Sequence, residues 1–172
     1  MHAPMVGPYD AFKIPMSLNS YNYIHFITIM ALSKYTILVA DYIPTDMLLF
    51  NILLKQAHCR LLTATDADAA LILAKNHHPD LILLDVNMPD LNGFEVAKIL
   101  QKDYRTCQIP ILYIIDMGDY PVFTPEGKVL PSEEYIEKPY DIRQLVERIL
   151  QRLEDKNKKK EVTDNQDKLE NV

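Results

Sequence analysis

The stretch DLILLDVNMPDLNGFE, Asp80 to Glu95, drives Leu81, Ile82, Leu83 and Leu84 straight into a carboxylate, Asp85, then turns through Pro89 and Gly93 into a helix. A run that is apolar at every position, rather than at alternate ones, suits a strand covered on both faces, the strand type of parallel α/β sheets. In open sheets of that kind, ligands collect outside the carboxyl ends of the strands, where the strand order reverses. Asp85 therefore stands at a position for chemistry.

Outward from it, short apolar runs alternate with helical periodicity. Upstream, YTILVA (Tyr35 to Ala40) reads as a buried strand ending at Asp41. Thr45 is a candidate cap for a helix carrying Leu48, Leu49, Ile52 and Leu53 at helical spacing. CRLLTAT follows as a second strand, and Thr65 or Asp66 opens a helix that His77 to Pro79 stop. Downstream of Asp85, a helix over about Phe94 to Lys102 carries Val96, Ile99 and Leu100 on one face. IPILYII (Ile109 to Ile115) supplies a fourth strand and EEYIEK a fifth, before Pro139. Asp141 with Gln144 forms a capping box for a last helix, striped by Ile142, Leu145, Val146, Ile149, Leu150 and Leu153.

Composition narrows the function classes. With 172 residues, 48% hydrophobic and 24% charged, the chain holds one globular domain with length left for tails. The formal charge of −6 argues against a nucleic-acid partner, because phosphate contacts need a basic face. Cys59 and Cys107 stand in no metal or redox spacing and read as small buried or half-buried thiols of a reducing, cytoplasmic compartment. The apolar run YNYIHFITIMAL lacks a basic flank and is cut short by Lys34 before the length of about 20 residues a membrane span needs, so no membrane partner is expected. Three regions result: an N-terminal extension over 1–33, loosely ordered; a folded domain over 34–153; and a charged disordered tail over 154–172.

Asp41 and Asp85 end the first and third strands. Adjacent at the switch point, they bring two carboxylates to one hard cation, and Mg²⁺ favours such a site, with few carboxylates and several waters. A rigidly held Asp85 is then a nucleophile toward a phosphoryl group, with a cation and a lysine neutralising its charge. Lys138, at the end of the fifth strand, is the candidate lysine. LLDVNMPDLNG, Asp41 after ILVA, and Lys138 in YIEKP together resemble the receiver domain of bacterial two-component response regulators. The likeness runs from Lys34 to Leu153 and implies a flavodoxin-like five-stranded parallel sheet, order 2-1-3-4-5, flanked by helices.

The resemblance also implies roles. Asp85 accepts a phosphoryl group from a histidine kinase or phosphotransfer protein, Lys138 contacts that group, and the backbone carbonyl of Asn87 joins Asp41 and Asp85 in holding Mg²⁺. Tyr135 falls at the family's switch aromatic. A downstream protein target docks on the 116–140 face. As a signalling module, the chain is not expected to be an enzyme.

Three departures stand out. Tyr42 replaces the second of two adjacent acids, which weakens the Mg²⁺ site. Ile115 occupies the switch position of a Ser or Thr, removing the hydroxyl that bonds the phosphoryl oxygen. DMGDYPVFTPEGKVLPSE replaces a fourth helix, because Pro121, Pro125 and Pro131 forbid one; VFT and KVL around PEG predict a loop or short hairpin. Tyr42 and Ile115 keep open a second reading, a degenerate receiver that docks without phosphorylation. An aspartyl-phosphate phosphatase is disfavoured because Asn87 cannot act as a general acid. DYIPTD is no phosphate cradle for a flavin, and adjacent His77 and His78 diverge too far to share a metal.

Overall fold

The computed structural model describes residues 31–118 and 122–170. The predicted extension lies outside these residues up to residue 30. Five strands, β1 (Thr36–Ala40), β2 (Arg60–Ala64), β3 (Leu81–Asp85), β4 (Ile111–Ile115) and β5 (Tyr135–Glu137), form one sheet in the order β2-β1-β3-β4-β5. All four pairings are parallel. The predicted flavodoxin-like sheet is the one observed.

Four helices cover it among the described residues: α1 (Pro44–Gln56), α2 (Ala67–His77), α3 (Gly93–Lys102) and α4 (Ile142–Glu170). Alternate residues of each strand feed opposite layers. Ile37, Val39, Leu83, Leu112 and Ile114 pack with Phe50 and Leu54 of α1 and with Leu145, Ile149 and Leu153 of α4. Leu38, Ala40, Ile82, Leu84 and Tyr113 pack with Ala70 and Ala74 of α2 and with Val96 and Leu100 of α3. Both faces of the central strands are thus dry, which is why β1 and β3 carry no alternation of polar residues.

Local chemistry sets most element ends. Asp66 caps α2 by accepting from the Ala69 N–H at 2.7 Å, and His78 closes it in a left-handed conformation. Asn92 and Glu95 form a capping box on α3. Asp141 and Gln144 exchange hydrogen bonds at the start of α4. The cap predicted at Thr45 is a correction: the N-cap is Ile43, two residues earlier, with α1 beginning at Pro44 and no side-chain bond. Proline at the first helical position has its ring angle already set, and no N–H to leave unpaired.

Two boundaries differ from expectation. Leu32, outside the predicted domain, is fully buried in the α1/α4 layer. At the other end α4 continues to Glu170, through the region predicted as a disordered tail. Residues 154–170 contain neither proline nor glycine and include five Lys and three Glu, which are good helix formers, so helix continues although the apolar stripe ends at Leu153.

The absent fourth helix is replaced as predicted. Val122 to Leu130 double back around Gly127, with a Phe123–Val129 antiparallel bridge and a 2.8 Å bond from the Leu130 N–H to the Val122 carbonyl. Val122 and Leu130 turn inward, while Phe123 and Val129 face out.

Candidate functional site

Parallel strands deliver their last residues to one rim. Asp41 follows β1 and Asp85 ends β3, its immediate neighbour in the sheet; both are buried. Each carboxylate is held at one oxygen by the backbone two residues on. The Ile43 N–H donates to Asp41 Oδ1 and the Asn87 N–H to Asp85 Oδ1, both at 2.8 Å. Those turns aim the other oxygens at a common point.

Lys138 occupies that point. Its Nζ lies 3.1 Å from Asp41 Oδ2, 2.9 Å from Asp85 Oδ2 and 2.7 Å from Asp46 Oδ2. The lysine hangs from the end of β5, whose register is fixed when its own N–H donates to the Ile115 carbonyl at 2.8 Å. Three carboxylates surround one ammonium, so the cleft keeps two negative charges in excess when all are ionised. Burial pushes the Asp41 carboxyl up to about 6; the Ile43 N–H opposes that, nearby Asp85 adds to it, and Lys138 opposes it. Burial pulls the Lys138 ammonium down, but its hydrogen bonds to Asp46, Asp85 and Asp41 outweigh this and hold its proton above the ordinary lysine range.

Asp46 was missed by sequence reasoning. In PTDMLL it sits in the first turn of α1, where an acid has an ordinary reason to be, the favourable end of the helix dipole. Only the fold turns that position toward Lys138.

The remaining predicted residues surround this centre. The Asn87 side chain donates to Asp116 Oδ2 at 2.8 Å, tying the loop after β3 to the end of β4. Ile115 is buried and offers no hydroxyl. Tyr135 is buried in the α2/α3 layer with Val122 and Leu130 of the hairpin. Tyr42 is 43% exposed and adds no carboxylate. The two histidines stay apart from the site, and His78 pairs through Nδ1 with the Arg105 carbonyl. Cys59 is buried, but Cys107 is exposed, against the expectation that both thiols are covered.

The donor set suits Mg²⁺. Oxygen ligands, excess negative charge and the partly exposed Asp46 at the edge of the cleft fit a hard cation that retains several waters. Among the described residues no group of three or more His, Cys, Asp and Glu is placed to hold a metal ion by side chains alone.

Known proteins resemble this chain closely. The response regulator receiver domain model matches residues 37–150. Protein PilH of Pseudomonas aeruginosa is 33% identical over 113 residues, spanning 66% of this chain and 93% of that protein. The polar-differentiation response regulator DivK of Brucella ovis is 30% identical over 117 residues, spanning 66% and 92%. Among solved structures, a putative response regulator from Chloroflexus aurantiacus superposes with a TM-score of 0.62 at 25% identity, covering 69% of this chain and 97% of that one.

Proposed function

Because this chain belongs to the response regulator receiver domain family, we propose that it is a single-domain receiver that takes a phosphoryl group on Asp85 from the phosphohistidine of a histidine kinase or phosphotransfer protein. The observation that carries this is the convergence of Asp85, Asp41 and Lys138 on one point. With Oδ1 held by the Asn87 N–H, Oδ2, which accepts from Lys138, is the oxygen turned into the cleft and the one that attacks. It forms the new P–O bond as the P–N bond of the donor breaks, and the bonding pair leaves with the imidazole. Lys138, already 2.9 Å from that oxygen, follows the charge onto the phosphoryl group. Asp41, Asp85 and the backbone carbonyl of Asn87 would hold Mg²⁺, which when bound neutralises charge on the transferred group. The residue is modified once per transfer, so the chain acts as a signalling switch rather than as an enzyme with its own substrate.

Output goes through protein contact on the 116–140 face. Met117, Phe123 and Val129 are exposed apolar residues there, and Met117 also lines a cleft of about 600 Å³ with Pro139, Gln144 and Arg148. No helix among the described residues is long and apolar enough to cross a membrane. A cytoplasmic, protein-directed role agrees with the acidic charge.

Ile115 and Tyr42 favour a second reading, a receiver that docks its partner without phosphorylation, because the switch hydroxyl and one acid are replaced. Comparing wild type with Asp85→Asn for phosphoryl uptake decides the site. Uptake in wild type and none in a folded variant supports Asp85; uptake persisting in the variant overturns it.

A further inference from the structure

Position 42 removes a negative charge from the cleft, yet the cleft still contains three carboxylates around Lys138, because Asp46 stands one turn into α1. We propose that Asp46 is a positioning residue that restores divalent-cation binding by drawing the Lys138 ammonium to itself and by supplying the third negative charge. The inference rests on the reading that Asp41 and Asp85 take Mg²⁺.

Lys138 is a cation already seated between the two buried acids, on Asp41 Oδ2 and Asp85 Oδ2, in the cleft that an incoming metal would enter. Any Mg²⁺ must compete with it. The shortest of its three contacts is to Asp46, at 2.7 Å, and Asp46 is the outermost of the three acids, with its side chain 24% exposed against 0% and 3% for the others. Asp46 can therefore keep the ammonium as it leaves the two buried carboxylates. Its charge acts in the same direction. With Asp46 ionised the three acids and one base sum to −2, matched to a divalent ion; without it the sum is −1. Losing Asp46 thus weakens Mg²⁺ twice, by lowering the charge of the cleft and by returning Lys138 to Asp41 and Asp85. A direct metal ligand is not required of Asp46, since carboxylates outside the coordination shell act strongly on metal affinity.

The test is calorimetric titration of the full chain with MgCl₂, comparing wild type, Asp46→Asn, Asp46→Glu, Lys138→Ala and the double variant Asp46→Asn with Tyr42→Asp, each first shown to be folded by circular dichroism. Asp46→Asn should weaken Mg²⁺ on the order of tenfold. Asp46→Glu should recover part of the loss, the double variant most of it, and Lys138→Ala should bind more tightly than wild type. Asp46→Asn binding as tightly as wild type, or more tightly, overturns the inference while leaving the metal site intact. Wild type that takes no Mg²⁺ overturns both the inference and the metal reading beneath it.

Discussion

Gly93 and Asp85 meet backbone to backbone: a β-carbon built on Gly93 falls on the carbonyl oxygen of Asp85 and against the Cα of Val86. The first turn of α3 is thereby pressed onto the strand end that presents the nucleophile, and the Gly93 N–H donates to the Val86 carbonyl at 3.0 Å. The neighbouring atoms are backbone, so they cannot rotate away. Gly93→Ala should destabilise the fold by about 2 kcal/mol, as overpacking of a close contact does. Urea unfolding reads this directly, and an unchanged midpoint would mean that the loop relaxes freely.

Lys138→Ala leaves Asp41, Asp85 and Asp46 facing one another without a cation. Removing one partner of a buried ionic cluster costs about 3 kcal/mol. The loss should be largest at neutral pH and shrink in acid, where the orphaned carboxylates take up protons, and Mg²⁺ should restore part of it. Unfolding curves of the variant across pH, with and without MgCl₂, check all three statements.

Asp41 sets a pH dependence of its own. Its carboxyl titrates at about 6 in the folded chain, against about 3.9 for an unfolded aspartate. A raised folded value means that the native state holds its proton more tightly. Stability from this group is therefore complete below about pH 4 and is lost as pH rises through about 6. Asp41→Asn should lack this component, so the gap in unfolding free energy between variant and wild type should open between those pH values. A constant gap would contradict the burial cost.

Much of this was legible in the chain. The unbroken apolar runs of β1 and β3 predicted a doubly covered parallel sheet, and the carboxylates after them, with Lys138 before Pro139, predicted one shared point. The prolines between Ile115 and Glu133 predicted a loop or short hairpin in place of a helix, and the hairpin is what forms. Other features carried no local signal. Asp46 looks like any acid in a first helical turn, and its contact with Lys138 is visible only once the chain is folded. Leu32 is separated from β1 by a turn, so strand periodicity does not reach it. The helix to Glu170 has no apolar stripe past Leu153, so hydrophobic periodicity gives no signal for its continuation.

The two thiols should behave differently. Burial pushes Cys59 up to about 11 and its Sγ donates to the Leu54 carbonyl, whereas Cys107 is exposed. Since the thiolate is the reactive form, a maleimide should add once per folded chain, at Cys107, and a second time only on unfolding. Two rapid additions to the folded protein would mean that the α1/α4 layer opens readily at Cys59.

The most direct measurement is the intact mass of the purified chain after incubation with a small phosphoryl donor such as acetyl phosphate, with and without Mg²⁺. A single Mg²⁺-dependent phosphoryl adduct, removed by hydroxylamine as an acyl phosphate should be, is the expected result. A folded protein that gains no adduct under either condition would contradict phosphoryl transfer to Asp85 and leave the phosphorylation-independent docking module as the reading to pursue.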